Sequence, residues 1–214
     1  MVLGLELDNR CIVSHGEQGT NVKRPFTFIP GLEMHEVSPG SLNEKLSIPN
    51  GINLASSFHG QFGFIPFTTT HRLPRHVHIA ESPHDPSKQV LVTERILVLN
   101  GVALVELNGK IYIIAPGSLV SIAPGVPHTW NACPAGVRLP DGITSDGQFL
   151  MVYEYESPTG FFPMDQTASI RTAEEYREFT GNLESIRFPD LTTEEVVAQG
   201  TLIWGKQLRK AESQ

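Results

Sequence analysis

Residues 71–80 read HRLPRHVHIA, residues 90–101 read VLVTERILVLNG, and residues 115–131 read APGSLVSIAPGVPHTWN. His76 and His78 stand two apart, and on a β-strand residues i and i+2 face the same side, so both rings point the same way. Two inward histidines are costly to bury without partners. A metal ion partners both, because neutral imidazole is a common metal ligand. Glu94 lies in the next apolar run, with six residues between it and Gly101. His128 follows Pro124-Gly125-Val126-Pro127, a tight turn that sets where its ring begins. Three histidines and a carboxylate suit Fe(II), Mn(II), Ni(II) or Zn(II), with coordination positions left for a substrate or for oxygen.

The same stretch is strongly β in character. Strands are predicted at 62–70, 75–79, 90–99, 103–107, 110–114, 118–122, 128–131 and 148–156, with Pro-Gly turns at Pro116-Gly117 and Pro124-Gly125. Asn108-Gly109 is a strong short hairpin signal, since both residues tolerate positive φ in a type I′ turn. Strands at this spacing with turn chemistry between them mean an antiparallel sandwich or barrel. Pro66 places the first strand at an edge or bulge. In the last strand Phe149, Met151, Tyr153 and Tyr155 share a face, and Leu150 and Val152 the other, so both faces are expected to be covered. Residues 80–89, AESPHDPSKQ, form a polar loop with two prolines and with His84 and Asp85 at its tip.

Before this stretch, residues 1–61 read as short strands, including 26–29 and 52–58, that add to the barrel's edges. After Pro158 the pattern changes. Thr172 with Glu175, and Thr192 with Glu195, are capping boxes that open two short helices. The first is expected to run through 179. The second runs through 197 and is expected to restart after Gly200 towards 208. The chain of 214 residues is thus read as one domain: a core at 62–156, a β extension at 1–61 and a helical extension at 157–214.

Composition excludes several function classes. The net charge is −7 with no long basic run, against non-specific binding to nucleic acid or anionic membranes. The N-terminus has no basic leader before an apolar run, and no window reaches a membrane-spanning length. Cys11 and Cys133 are the two cysteines, read as reduced thiols of a cytoplasmic protein.

His-x-His, then Glu-x6-Gly, then Pro-Gly-x-Pro-His resembles the two motifs of the cupin superfamily. The resemblance covers roughly residues 62–156. It implies an all-β, antiparallel jelly-roll barrel, here with an N-terminal strand extension and short C-terminal helices. Carried over residue by residue, His76, His78 and Glu94 match the first motif's metal ligands and His128 the second's. Gly101, Gly117 and Gly125 match its turn positions. Fifteen residues separate His78 from Glu94, a longer gap than the family's usual one, so Glu81 stands as a rival carboxylate.

The function expected is that of a mononuclear metal enzyme, a dioxygenase acting on a small enol or phenol, with Fe(II) as the first choice of metal. Glu94 would double as proton acceptor, and Tyr153 is the candidate proton donor. The same ligands serve a non-redox cyclase, isomerase, lyase or decarboxylase, and the barrel also serves proteins that only bind small molecules. Exposed jelly-roll edges lead to the expectation of a homodimer. Arg75 and Arg95 alternate away from the ligands and are expected in salt bridges or solvent. Phe64, Phe67, Trp130, Met151, Tyr153 and Tyr155 are candidates for lining a pocket, and His71 for its rim.

Overall fold

The computed structural model describes residues 4–15, 35–37 and 61–213. The strands expected at 26–29 and 52–58 lie outside the described residues, as does His59. In chain order the strands are β1 (Leu5–Glu6), β2 (Ile12–Ser14), β3 (His35–Val37), β4 (Phe62–Thr68), β5 (His76–Glu81), β6 (Gln89–Leu91), β7 (Glu94–Gly101), β8 (Ala103–Leu107) and β9 (Lys110–Ile114). They continue with β10 (Ser118–Ile122), β11 (His128–Ala132), β12 (Val137–Arg138), β13 (Gln148–Tyr155) and β14 (Gly160–Pro163). Helix α1 (Thr193–Gln199) precedes β15 (Thr201–Trp204), β16 (Gln207–Lys210) and β17 (Glu212–Ser213).

Two sheets face each other. One runs β1-β2-β10-β7-β13-β4-β3, the other β14-β5-β11-β8-β9-β15-β16, with β6 paired to β5. Every pairing is antiparallel except β9 with β15. The alternation of each strand sends one set of side chains between the sheets. Phe67, Ile96, Val98, Val120, Ile122, Phe149 and Met151 of the first sheet meet Val105, Leu107, Tyr112, Ile114 and Trp130 of the second in one buried core. This is the double sheet that the strand spacing predicts, in the jelly-roll form that the resemblance implies. Asn108 and Gly109 turn between β8 and β9 at φ of 56° and 79°, the two positive values that a type I′ turn requires.

The outer face of the second sheet is covered by the chain's own C-terminal part. Leu104, Ile113 and Leu202 pack with Phe188 and with Val196 of α1. Val77 and Ile79 pack with Met164, Ile170 and Ala173. Leu150 and Val152, on the outer face of β13, are buried as well.

The run at 90–99 is two strands rather than one. β6 stays with β5, the chain crosses between the sheets at Val92 and Thr93, and β7 then joins β10 and β13. The backbone N–H of Val92 donates to His78 O at 3.0 Å, which anchors the crossing beside the histidines.

The C-terminal extension corrects the sequence in two places. Thr172 makes no side-chain cap, and Glu175 instead accepts from the backbone N–H of Arg171 at 3.1 Å. Only a single 3-10 turn at Ala173–Glu175 forms there, as a helix this short has little cooperative support. The second box does form, with Thr192 and Glu195 capping each other across α1. After Gly200 the chain does not restart a helix; Thr201, Leu202 and Ile203 lie along the free edge of β9, and the chain returns through Gly205, at φ 60°, into β16. A free sheet edge outcompetes a marginal helix for β-branched and aromatic residues.

Candidate metal centre

Each candidate ligand is placed by strand parity. His76 and His78 point between the sheets, while Val77 and Ile79 point out. Glu94 shares its face of β7 with the core residues Ile96 and Val98. His128 shares its face of β11 with Trp130. His128 is directly opposite His76 in the β5–β11 pairing. All four side chains are buried, each with 4% exposure or less.

The three histidines bring ligand atoms within 4.8 Å of one another. Glu94 Oε2 lies 2.9 Å from His128 Nε2 and 3.5 Å from His78 Nε2. Glu81, the rival carboxylate, is exposed at the end of β5, on the face of Val77 and Ile79. The crossing at Val92 and Thr93 is what carries Glu94 back over the histidines despite the long gap.

The protons can be placed by chemistry. His76 Nδ1 faces Pro74 O at 2.8 Å, His78 Nδ1 faces Gly160 O at 3.2 Å, and His128 Nδ1 faces Val126 O at 2.9 Å. A carbonyl oxygen only accepts, so each Nδ1 donates and each Nε2 of a neutral ring is a bare lone pair. His78 Nε2, His128 Nε2 and Glu94 Oε2 have no hydrogen-bond partner and are fully buried. Leaving such an atom unpartnered costs roughly 1–3 kcal/mol. Lone pairs facing one another at these distances need a cation between them. A proton serves one pair; a divalent metal ion serves the whole set. The three-histidine group therefore fits a divalent metal, with backbone carbonyls orienting every ring from behind, as metal-ligating histidines require.

Burial, together with the neighbouring His128 and His78, holds His76 well below the usual imidazole range, which keeps its lone pair free. For Glu94 burial alone would favour the neutral acid, but a proton held by the facing His78 and His128 rings in the metal-free protein outweighs it and holds the carboxyl far below its ordinary range. A pH dependence follows for the metal-free protein. Unfolded His76 takes a proton below about pH 6.5, while the folded ring resists it. The unfolded state then binds more protons, so stability falls as pH is lowered through that value. Thermal denaturation in chelator between pH 8 and 5 should show Tm dropping with acid; a flat profile would mean that the folded ring takes up its proton as readily as the unfolded one.

Gly125 sets the approach to His128. It sits at φ +76°, and a Cβ there would lie 2.2 Å from Ile170 O and 2.8 Å from Leu91 Cδ1. The backbone conformation alone costs a non-glycine residue roughly 1–3 kcal/mol, and the clash adds to it. Gly125→Ala should therefore lower the midpoint of denaturant unfolding and displace His128; an unchanged midpoint would show that the turn has room.

The other expected residues scatter around this centre. Tyr153 is buried in the core, its ring 5.1 Å from Tyr155, and it is Tyr155 whose ring reaches His78, at 4.5 Å. Phe67 stacks on His71 at 4.8 Å and on Phe149 at 4.5 Å. Phe64 is on the outer face of β4 and exposed, so it does not line the interior. Arg75 binds Glu106, and Arg95 binds Glu154 at 2.9 Å, both as ion pairs. His84 is exposed in the hairpin loop, whose backbone is tied by Asp85 to Ser87. His15 Nδ1 accepts from Gly205 N and serves the C-terminal hairpin. Sequence reasoning missed β14, which supplies Gly160 O to His78 and places the Phe161 ring 3.8 Å from that of His76. The aromatic run Gly160-Phe161-Phe162, after the turn at Pro158, was its signal.

Two facing sheets with three inward, buried histidines define the class: the chain has a cupin-type jelly-roll fold. Comparison with known proteins finds solved structures of that fold. A cupin 2 domain-containing protein from Halorhodospira halophila is 13% identical, over 72% of this chain and 83% of its own, with a TM-score of 0.40. A cupin protein from Bacteroides fragilis is 11% identical, over 72% of this chain and 98% of its own, with a TM-score of 0.33. A salicylate 1,2-dioxygenase from Pseudaminobacter salicylatoxidans is 13% identical over 62% of this chain, which spans only 28% of that protein, with a TM-score of 0.34. No family model and no curated protein matches the chain. These likenesses concern the fold alone. No helix among the described residues is long and apolar enough to cross a membrane, and Cys11 and Cys133 are both buried free thiols.

Proposed function

We propose that the protein is a mononuclear metal enzyme of the dioxygenase type, in which His76, His78, Glu94 and His128 hold one Fe(II) ion, with Mn(II), Ni(II) or Zn(II) as the alternatives under test. The observation that carries this reading is the set of buried donor atoms turned toward one another: His78 Nε2, His128 Nε2 and Glu94 Oε2, with His76 alongside. Three imidazoles and one carboxylate form a nitrogen and oxygen donor set that leaves coordination positions open. When bound, the ion would supply a Lewis-acidic, redox-active centre for a small enol or phenol and dioxygen. Ile96, Met151 and Trp130 surround the interior with apolar surface, which suits both reactants. Glu94, held ionised, takes the proton of the substrate's hydroxyl. In this reading Tyr153 is the hydroxyl donor from the barrel interior. A cytosolic location and a homodimer belong to the same proposal, and light scattering on the purified protein checks the second.

The test is oxygen uptake by protein reconstituted with Fe(II), offered simple enols and phenols. Oxygen consumption that tracks substrate loss supports the reading. Equal turnover under argon would replace it with Lewis-acid isomerase or lyase chemistry on the same ligands. Tight ligand binding with no turnover in either atmosphere would make the chain a binding protein.

A further inference from the structure

Strand β14 lies outside the ligand-bearing stretches, yet it forms one wall of the centre. Phe161 is opposite His78 in register, and its ring stacks on His76 with 25° between the planes. It is 44% exposed, whereas the histidines it adjoins are buried to 3% or less. Tyr155, partly buried, comes from the facing sheet, where it pairs with Glu94, and sets its ring against His78. Aromatic rings from the two sheets thus flank the histidines where β14 ends its sheet.

This wall is built rather than incidental. Tyr155 N donates to Gln61 O at 2.9 Å and Thr159 N to Gln61 Oε1 at 3.0 Å, so one residue pins both ends of the connection between β13 and β14. Thr159 Oγ1 donates to Ile79 O at 2.7 Å, and the Gly160 carbonyl is held by His78 itself. An exposed phenylalanine standing alone would need no explanation. One stacked on a candidate ligand, directly after a Thr159-Gly160 segment bonded to Gln61, Ile79 and His78, bridges the buried centre and the solvent.

We propose that Phe161 is the specificity-determining residue of this centre, the aromatic wall against which a planar, conjugated ligand lies when it reaches the metal. The inference rests on the metal-enzyme reading above and narrows its substrate class to planar phenolic or enolic rings, which gain from offset stacking on a phenyl face.

The test uses protein loaded with Co(II) and two probes read by the cobalt spectrum: nitrocatechol, which is planar and aromatic, and azide, which is small and is not. Phe161→Ala and Phe161→Leu should weaken nitrocatechol roughly two- to tenfold, the range expected of one aromatic pair, and leave azide unchanged. Phe161→Trp should restore nitrocatechol binding, a rescue that a purely structural role would not produce. Unchanged nitrocatechol affinity in the Ala and Leu variants would overturn the proposal, and so would an equal loss of both probes. Wild-type protein that takes up no cobalt would overturn the metal reading itself, a failure separable from that of Phe161 because cobalt and azide binding are measured first.

Discussion

Protein purified without chelator should carry about one divalent ion per chain, and His76→Ala should carry almost none. Removing a residue that merely orients a metal ligand typically costs ten- to hundredfold in affinity. Removing a ligand should cost more than roughly a hundredfold. The fold should survive, because His76 Nδ1 bonds to the local Pro74 carbonyl and the ring's other contacts are with Phe161, His78 and His128 rather than with the apolar core. Elemental analysis together with circular dichroism separates loss of metal from loss of structure. Glu81→Ala is the matched control: that residue is exposed on the outward face of β5, and its variant should keep full metal content. Metal retained by His76→Ala would sink the ligand assignment, and metal lost in Glu81→Ala would reverse the choice between the two carboxylates.

The largest loss of stability should follow from Arg75→Met. Arg75 Nε donates to Glu106 Oε1 at 2.8 Å and Nη2 to Glu106 Oε2 at 3.1 Å, a forked pair whose side chains are 15% and 7% exposed. Nη1 also donates to Asp165 O at 2.8 Å, and Met164 N donates to Arg75 O at 3.0 Å. The pair therefore ties the segment after β14 to the outer face of the barrel. Methionine keeps much of the volume but leaves Glu106 buried without its cation. Breaking a buried pair from one side costs roughly 3–5 kcal/mol, which for a chain of this size lowers Tm by about 6–20 °C. The double variant Arg75→Met with Glu106→Leu should recover most of that loss, since apolar replacements of a whole buried pair are near neutral. Calorimetry on the three proteins decides it. A single variant within about 1 kcal/mol of wild type would show that water reaches the pair and screens it.

Much of the centre was legible because it depends on local rules. Parity along a strand put His76 with His78, and Tyr153 with Met151 and Phe149, whatever the strands paired with. Asn108-Gly109 and Gly125 announced their turns through backbone conformations that few other residues adopt. The second capping box formed as read, because its partners lie three residues apart. The misreadings differ in cause. After Gly200 a local propensity competed with pairing to a distant strand, and the distant contact won; at Thr172 a one-turn helix lacked cooperative support and Glu175 turned to the Arg171 N–H instead. Phe64 was misplaced because it alternates with the equally apolar Ile65, so the strand carries no local sign of which face is buried.

The amino-acid sequence by itself determined the class of fold and the identities of the candidate ligands, since alternation, turn chemistry and the spacing of His76, His78 and His128 are properties of neighbours in the chain. Only the tertiary structure decided between Glu94 and Glu81 as the carboxylate beside the histidines. That choice depends on where the chain leaves one sheet for the other, at Val92 and Thr93, and a sheet crossing is set by the packing of both sheets rather than by the residues that cross. The tertiary structure alone also brought β14 against β5, so that Gly160 orients His78 and Phe161 covers His76. These contacts join residues some eighty positions apart, a separation at which pairing is chosen by the free edge and the apolar surface available, not by local preference.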